Sequence, residues 1–446
     1  MDRPWDPNWL SRVGFGTGSG GRPFVYEPNE LLLTPPGLEA LRRVVPEGTD
    51  YQVDDSIIPE ELFLVVFAPG SGVDVVSVAR RLRSLGVEAQ VNHVFFADPV
   101  KLDSFTRANP VTFANPVTFA NPVTFANPVT FANAGLGTAG GCCADCFGTY
   151  QAPVTPAEAP TQTLAVGCAH PGPLPAPVPA HARLQVRVYD TGLAFSDFRP
   201  AFVGGVQPVA EGVDVDRPDE DRNDEVDTAA GHGTFIAGII DRMVPGARIR
   251  VDRVLNTFGV GDDAYIAKQI AALAPHQLPD VFNLSFSGYT EDDRPPMAIT
   301  RVLEHVMARG SVVVASAGNS ASYRPSWPAA QPGVVSVGAL GPGGPAPFTN
   351  FGPWVRACAP GMDIVSNFFV PAGGDPKTLP TDGRDGHFDG WARWSGTSFA
   401  APIVVGALLQ CCVRHACTPA EAVVRIIDEA HLYRHPALGT VVNAHP

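Results

Sequence analysis

From Leu184 onward the chain alternates short β-rich runs with helical stretches, and several of those runs are apolar throughout. "LQVRVYDTG", "RIRVDRVL", "DVFNLSFSG", "GSVVVASAGN" and "VVSVGAL" are the runs; "AYIAKQIAALA" and "MAITRVLEHVMARG" lie among them. A strand solvated on one face alternates apolar and polar residues. A strand that is apolar throughout must be covered on both faces, as in a parallel sheet flanked by helices. The pattern predicts an α/β domain over 181–446, with a parallel sheet sandwiched by helices. Near the end, Thr418, Pro419 and Glu421 form a capping box with proline at the first helical position, which predicts one more helix.

The preceding 180 residues differ in kind. Residues 1–21 are charged and glycine-rich and are expected to lack order. Residues 22–98 read as a small α+β domain, one sheet with helices on one face. "FVYEPNELLLT", "ELFLVVFAP" and "VEAQVNHVFFA" are its strands. In "VDVVSVARRLRSLG", Val75, Val78, Ala79, Leu82 and Leu85 share a helix face and Gly86 ends the helix. Residues 99–180 read as a linker. It holds four unchanged copies of Ala-Asn-Pro-Val-Thr-Phe from Ala108, then "GCCADC", then a proline-rich stretch. Each proline fixes its own φ and pushes the preceding Asn out of the helical region. Four copies are too few for a solenoid, and the proline-rich part is a semi-rigid spacer.

The net charge of −14 argues against nucleic acid as a partner, because phosphate binding needs a basic surface. The amino-terminal stretch lacks the apolar core of a secretion signal, and no membrane span is expected. The eight cysteines then read as thiols or metal ligands rather than a disulfide framework. The expected compartment is the cytoplasm, or the exterior by a route that leaves no such signal.

Three pieces of the last domain carry chemistry. Asp190 in "VRVYDTGL" follows an apolar run, at the carboxyl end of a strand, where ligands bind in open α/β sheets. His232 in "GHGTFIAGII" sits between glycines ahead of an apolar run. Ser398 in "WSGTSFAAPIVVGALLQCC" opens an apolar helix, where backbone N–H groups are unpaired and negative charge is favoured. Singly, these are a turn residue, a helix-start histidine and a helix cap. Together they are what an alcohol nucleophile needs: an imidazole to take its proton and a carboxylate to fix the imidazole's tautomer.

On these motifs, residues 184–444 resemble the subtilisin-like serine proteases (subtilases). "YDTGL", "GHGTFIAGI" and "GTSFAAP" are similar to the family's Asp, His and Ser motifs, in the family's order. "ASAGNS", "NLSFSG", "FGPWVRACAPG" and "GTVVNA" are similar to further family segments. The resemblance implies a serine endopeptidase acting on peptide or protein substrates without a catalytic cofactor. It implies Ser398 as nucleophile, His232 as base, Asp190 as its orienting partner and Asn319 as the side-chain oxyanion donor. It implies Ser285, Phe286, Ser287 and Gly288 on one substrate-binding wall and Ala315, Ser316, Ala317 and Gly318 on another, an uncharged pocket with Ser326 beside it. Phe235 stands where the family often has His, and Ser287 where it often has Gly. The loop from Ser320 to Trp327 is short, and residues 367–390 resemble an insertion.

The 22–98 domain is similar to the family's inhibitory propeptides, a partner in cis. That implies a zymogen with self-cleavage in 99–180. The alternative is a self-processing precursor that releases repeat-containing peptides. A dead scaffold conflicts with the complete residue set. Two other features stay open. The acidic stretch from Glu211 to Asp227, with Asp214 and Asp216, suits calcium, a cationic subsite or simply a solvated loop. Cys142, Cys143, Cys146, Cys168 and His170 hold one zinc-like spacing, but the second pair is irregular, which argues against a metal site. Cys411 and Cys412 are expected to be inert on the apolar helix.

Overall fold

The computed structural model describes residues 12–97, 155–156, 184–194, 202, 206, 214–217, 219–220, 226–369, 390–429 and 434–442. The repeats, Cys142, Cys143, Cys146, Cys168 and His170 lie outside the described residues, as do the proline-rich stretch apart from 155–156 and positions 370–389.

In the first unit, β1 is Gly14–Thr17, β2 Pro23–Leu33, α1 Pro35–Leu41, β3 Tyr51–Ile58, β4 Leu62–Phe67, α2 Val75–Ser84 and β5 Ala89–Ala97. Two strands were not anticipated. Residues 14–17, expected to lack order, form β1, which pairs antiparallel with Pro23–Tyr26. β3 replaces part of an expected loop; its polar Asp54 and Asp55 hide the pattern, but it pairs with β4. α2 runs as read, capped by Asp74, whose side chain accepts from Val76 N and Ser77 N. Leu85 is the exception: it is the helix's last cap and is exposed.

In the second unit, β6 is Gln185–Asp190, β7 Leu193–Ala194, β8 Val215–Asp216, α3 His232–Met243, β9 Arg248–Arg253, β10 Val260–Asp262 and α4 Asp263–Ala271. Then come β11 Val281–Leu284, β12 Phe286–Ser287, α5 Met297–Met307, β13 Val312–Ser316, β14 Val335–Gly341, β15 Ala357–Pro360, β16 Ile364–Asn367 and β17 Trp391–Trp394. α6 is Thr397–His415, α7 Pro419–Val423, β18 Arg434–His435 and β19 Gly439–Val441. The main sheet runs β9-β6-β11-β13-β14-β15-β19-β18, parallel except for β18 against β19. The apolar runs are fully buried, as a two-sided cover demands: Val281–Leu284 and Val312–Ser316 expose nothing appreciable. One face packs on α3 and α6 through Val188, Val314, Phe235, Ile239 and Val404; the other packs on α4 and α5 through Phe282, Val313, Ile266 and Leu303. α6 is long and apolar enough to cross a membrane, but most of it is buried inside the protein, as a core helix is. The Thr418–Glu421 box caps α7 as read.

The two units share a sheet. The order β10-β5-β2-β4-β3 joins them, with β12 also on β5, all antiparallel. Within the first unit, alternate residues face opposite ways. Leu31, Leu33 and Val65 pack under α2; Leu32, Leu62, Leu64 and Phe95 pack with Ile266, Ile270 and Ile299 of the second unit. Ile57 joins this second group, giving five large side chains. At about 1.5–3 kcal/mol each, they contribute on the order of 10 kcal/mol as an upper bound.

Around that apolar contact runs a charged border. Buried Glu291 takes Arg80 at 2.5 Å and Arg83 at 2.7 Å. Asp293 takes Arg22, and also Arg324 at 2.5 Å. The side chain of Asn92 donates to Glu30 at 2.7 Å and to Asp262 at 2.8 Å, and accepts from Ala264 N at 3.0 Å. His93 is fully buried, and its Nε2 accepts from Glu291 N at 3.1 Å. Burial, then the Arg83 and Arg324 charges, push its imidazole down to about 3.

Candidate active site

Asp190 ends β6, fully buried. Its Oδ1 lies 2.7 Å from His232 Nδ1 and accepts from Thr191 N at 2.8 Å. A carboxylate at Nδ1 holds the ring proton there, which leaves the Nε2 lone pair outward. That Nε2 has no partner among the described residues. His232 opens α3. Gly231 before it has φ +80, and the Phe368 ring lies where its Cβ would be, so a side chain there is excluded twice.

One acidic residue acts differently from its expectation. Asp216, read as open to calcium, a cationic subsite or a solvated loop, is fully buried beside the pair. Its Oδ2 accepts from Thr191 Oγ1 at 2.7 Å and from Gly231 N at 2.8 Å, and Thr191 Oγ1 accepts from Gly233 N at 3.1 Å. It thus ties the residue after Asp190 to both neighbours of His232. Burial pushes its carboxyl up to about 7, against the lowering by Thr191. Three other described acids of this stretch face protein donors. Asp214 takes Arg250 and Arg253 N, Glu220 takes Arg253, and Asp227 takes Thr257. Among the described residues no group of three His, Cys, Asp or Glu side chains converges.

Ser398 lies in the first turn of α6, which starts at Thr397. Its Oγ donates to the Ser285 carbonyl at 3.2 Å, and Ser285 Oγ donates back to the Ser398 carbonyl at 2.9 Å. The ring of Phe399, next in the chain, sits 5.3 Å from the His232 ring, and Trp394 sits edge-on at 5.5 Å. The start of α6 is therefore held against the imidazole by an aromatic clamp that the sequence reading did not name; the spacing of Trp394 and Phe399 around Ser398 was its only trace.

Asn319 joins the same helix start. Its Oδ1 accepts from Thr397 N at 2.9 Å and from Thr397 Oγ1 at 2.8 Å. A backbone N–H must meet an oxygen, so the amide's orientation is fixed, and its Nδ2 is left buried without an acceptor among the described residues. The two expected walls also meet. Gly318 has φ +98, and a Cβ on it would lie 2.9 Å from Ser287 Oγ and 3.3 Å from Ser326 Oγ. Gly288 N donates to Trp327 O, and Trp327 N donates to Gly288 O, both at 2.9 Å. Ser285, Phe286, Ala315, Ser316 and Ala317 are all fully buried.

A peptide strand already lies on the first wall. The end of β5 runs between β10 and β12, with Phe96 opposite Val260 and Ser287, Phe95 opposite Gly261 and Ala97 opposite Phe286. Ala97 N donates to Gly259 O at 2.6 Å.

A model of the subtilase family matches residues 183–431, more than half of the chain. This chain belongs to the subtilase family. Among curated subtilases it is 33% identical to a thermophilic serine proteinase of Bacillus sp. (strain AK1) over 233 residues, 50% of each protein. It is 29% identical to subtilisin DY of Bacillus licheniformis over 240 residues, covering 51% of this chain and 75% of that one. Thermitase of Thermoactinomyces vulgaris is 29% identical over 233 residues, covering 50% and 72%. The subtilase match thus spans half of the thermophilic relative and stops short of the first unit, β1 to β5.

Proposed function

We propose that this chain is a serine endopeptidase made as a zymogen. The observation that carries the reading is one juxtaposition. His232, held by Asp190 at 2.7 Å with Nε2 unpartnered among the described residues, packs 5.3 Å from Phe399, directly after Ser398. Ser398 Oγ attacks the scissile carbonyl as Nε2 takes its proton. His232 then passes that proton to the leaving amine, while Asp190 stabilises the imidazolium. The developing oxyanion meets the Ser398 backbone N–H at the helix start and the unpartnered Asn319 Nδ2. The substrate strand lies between β10 and β12, where β5 lies here. Residues 22–97 are then the inhibitor in cis, and release follows self-cleavage within 99–180.

The test is chemical. A fluorophosphonate should add to Ser398 once the first unit is removed, and the Ser398→Ala chain should neither label nor hydrolyse a peptide. Intact-mass analysis should find the chain cut within 99–180 in the wild type and uncut in Ser398→Ala. Near-normal turnover by Ser398→Ala removes the assignment. Paired cuts around the repeats replace the zymogen reading with the precursor reading.

A further inference from the structure

The strand seated in the cleft and the hexapeptide repeat are versions of one sequence. Residues 94–100 read Val-Phe-Phe-Ala-Asp-Pro-Val, and residues 111–117 read Val-Thr-Phe-Ala-Asn-Pro-Val, a pattern that recurs at 117–123 and 123–129. Five of the seven positions are identical, and Asp against Asn is a change of charge at constant shape.

The described positions explain what is kept. Val94 and Phe96 pack with Val25 and Val260 on one side of the strand. Ala97 must be small: Gly259 has φ +79, and even a Cβ built on Gly259 would lie 3.0 Å from the Ala97 Cβ. The repeat keeps Val, Phe and Ala at these three places. The one altered contact is Phe95. It is fully buried, edge-on to Phe286 with centroids 6.2 Å apart, and it enters over Gly288, where a Cβ would lie 2.7 Å from its ring. A threonine there gives the same strand with its deepest pocket underfilled.

We propose that the groove between Val260–Asp262 and Phe286–Gly288 is a binding site for the repeat itself, so that the copies are tethered, weaker competitors of residues 94–97. The proposal rests on the cleft reading above but not on turnover. Backbone pairing gives the register, and the Val, Phe and Ala positions give recognition. Losing most of the Phe95 side chain makes each copy about tenfold weaker or more. Several copies on one chain offset that through a high local concentration. In this register the residue after alanine would face Ser285; the next residue is proline in the copies from Val111, Val117 and Val123, and Ala134 in the fourth. The three Asn–Pro bonds are tertiary amides whose ring nitrogen is a crowded leaving group, so those copies are held rather than turned over.

Hydrogen exchange on full chains carrying Ser398→Ala tests binding apart from catalysis. Phe95→Asp unseats the native strand. With native repeats, the amides of 260–262 and 286–288 should stay protected. With every repeat Val and Phe changed to Ser, they should exchange at least tenfold faster. Equal exchange in the two chains overturns the proposal. A second chain keeps Phe95 and changes Thr112, Thr118, Thr124 and Thr130 to Phe, which leaves the described residues untouched. Its copies should displace the native strand and speed exchange at 94–97 by about tenfold. Unchanged exchange there overturns the proposal whatever the first pair gives. In the catalytically intact chain, cleavage after Phe113, Phe119 or Phe125 would overturn the register.

Discussion

The core of the second unit and the joint between the two units are both buried, but they are built differently. The core is Val, Ile, Ala and Phe between a sheet and its helices. The joint has an apolar centre of similar character, then adds Glu291 with two arginines, Asp293 with two more, and a neutral buried His93. Apolar packing answers to little but temperature and solvent. A border of buried charges answers to pH and to single substitutions, because removing one partner strands the others. On the zymogen reading proposed above, the difference separates a part meant to persist from a part that can be undone.

Four comparisons sharpen that contrast, the first a pair of active-site substitutions. Ser398→Ala should cost at least about 10³-fold in turnover and Asn319→Ala about 10²–10³-fold, measured with a fluorogenic peptide. Neither should change exchange within β5, since neither residue belongs to the joint. Glu291→Ala should do the reverse. Arg80 is half-exposed and Arg83 largely buried, so the loss is about 2 kcal/mol, read as roughly 30-fold faster exchange at 89–97 with turnover of the freed second unit unchanged.

The third comparison concerns pH. His93 has a folded value near 3 against an ordinary 6.5, so the undocked state binds the proton that the docked state refuses. Docking is therefore fully stable above about 6.5 and weakens as pH falls through the window toward 3. Between pH 7.5 and 5.5, exchange at 89–97 divided by the intrinsic rate of a free amide at each pH should rise about tenfold, and His93→Gln should abolish that rise. The smallest effect is Asp74→Ala. It removes the cap of α2, about 1 kcal/mol, and should loosen the first unit's own helix about fivefold while leaving the Glu291 border unmoved.

Legibility in the sequence followed the same division. Apolar runs and helix periods gave the second unit's sheet, because burial on two faces leaves a pattern in single segments. Asp190, His232 and Ser398 were readable from their neighbours, since each stands where a strand ends or a helix begins; Asn319 came only from the resemblance of "ASAGNS" to a family segment. β10 and β12 were not readable. They hold three and two residues, too short for a period, and what defines them is a partner strand more than 160 positions away. β3 was lost to its own polar residues. Asp216 was taken for one carboxylate among many. Its hydrogen bonds to Thr191 and Gly231 depend on burial, which an acidic run does not advertise.

The shared sheet has a consequence for timing. Residues 22–97 bury their second face against the second unit, on α4, α5 and β12, so separation bares Leu32, Ile57, Leu62, Leu64 and Phe95 together. On the proposed zymogen reading, a fragment with that much bare apolar surface is an aggregation liability. Departure would then work as a ratchet: the joint can be loosened many times, but it is lost only once.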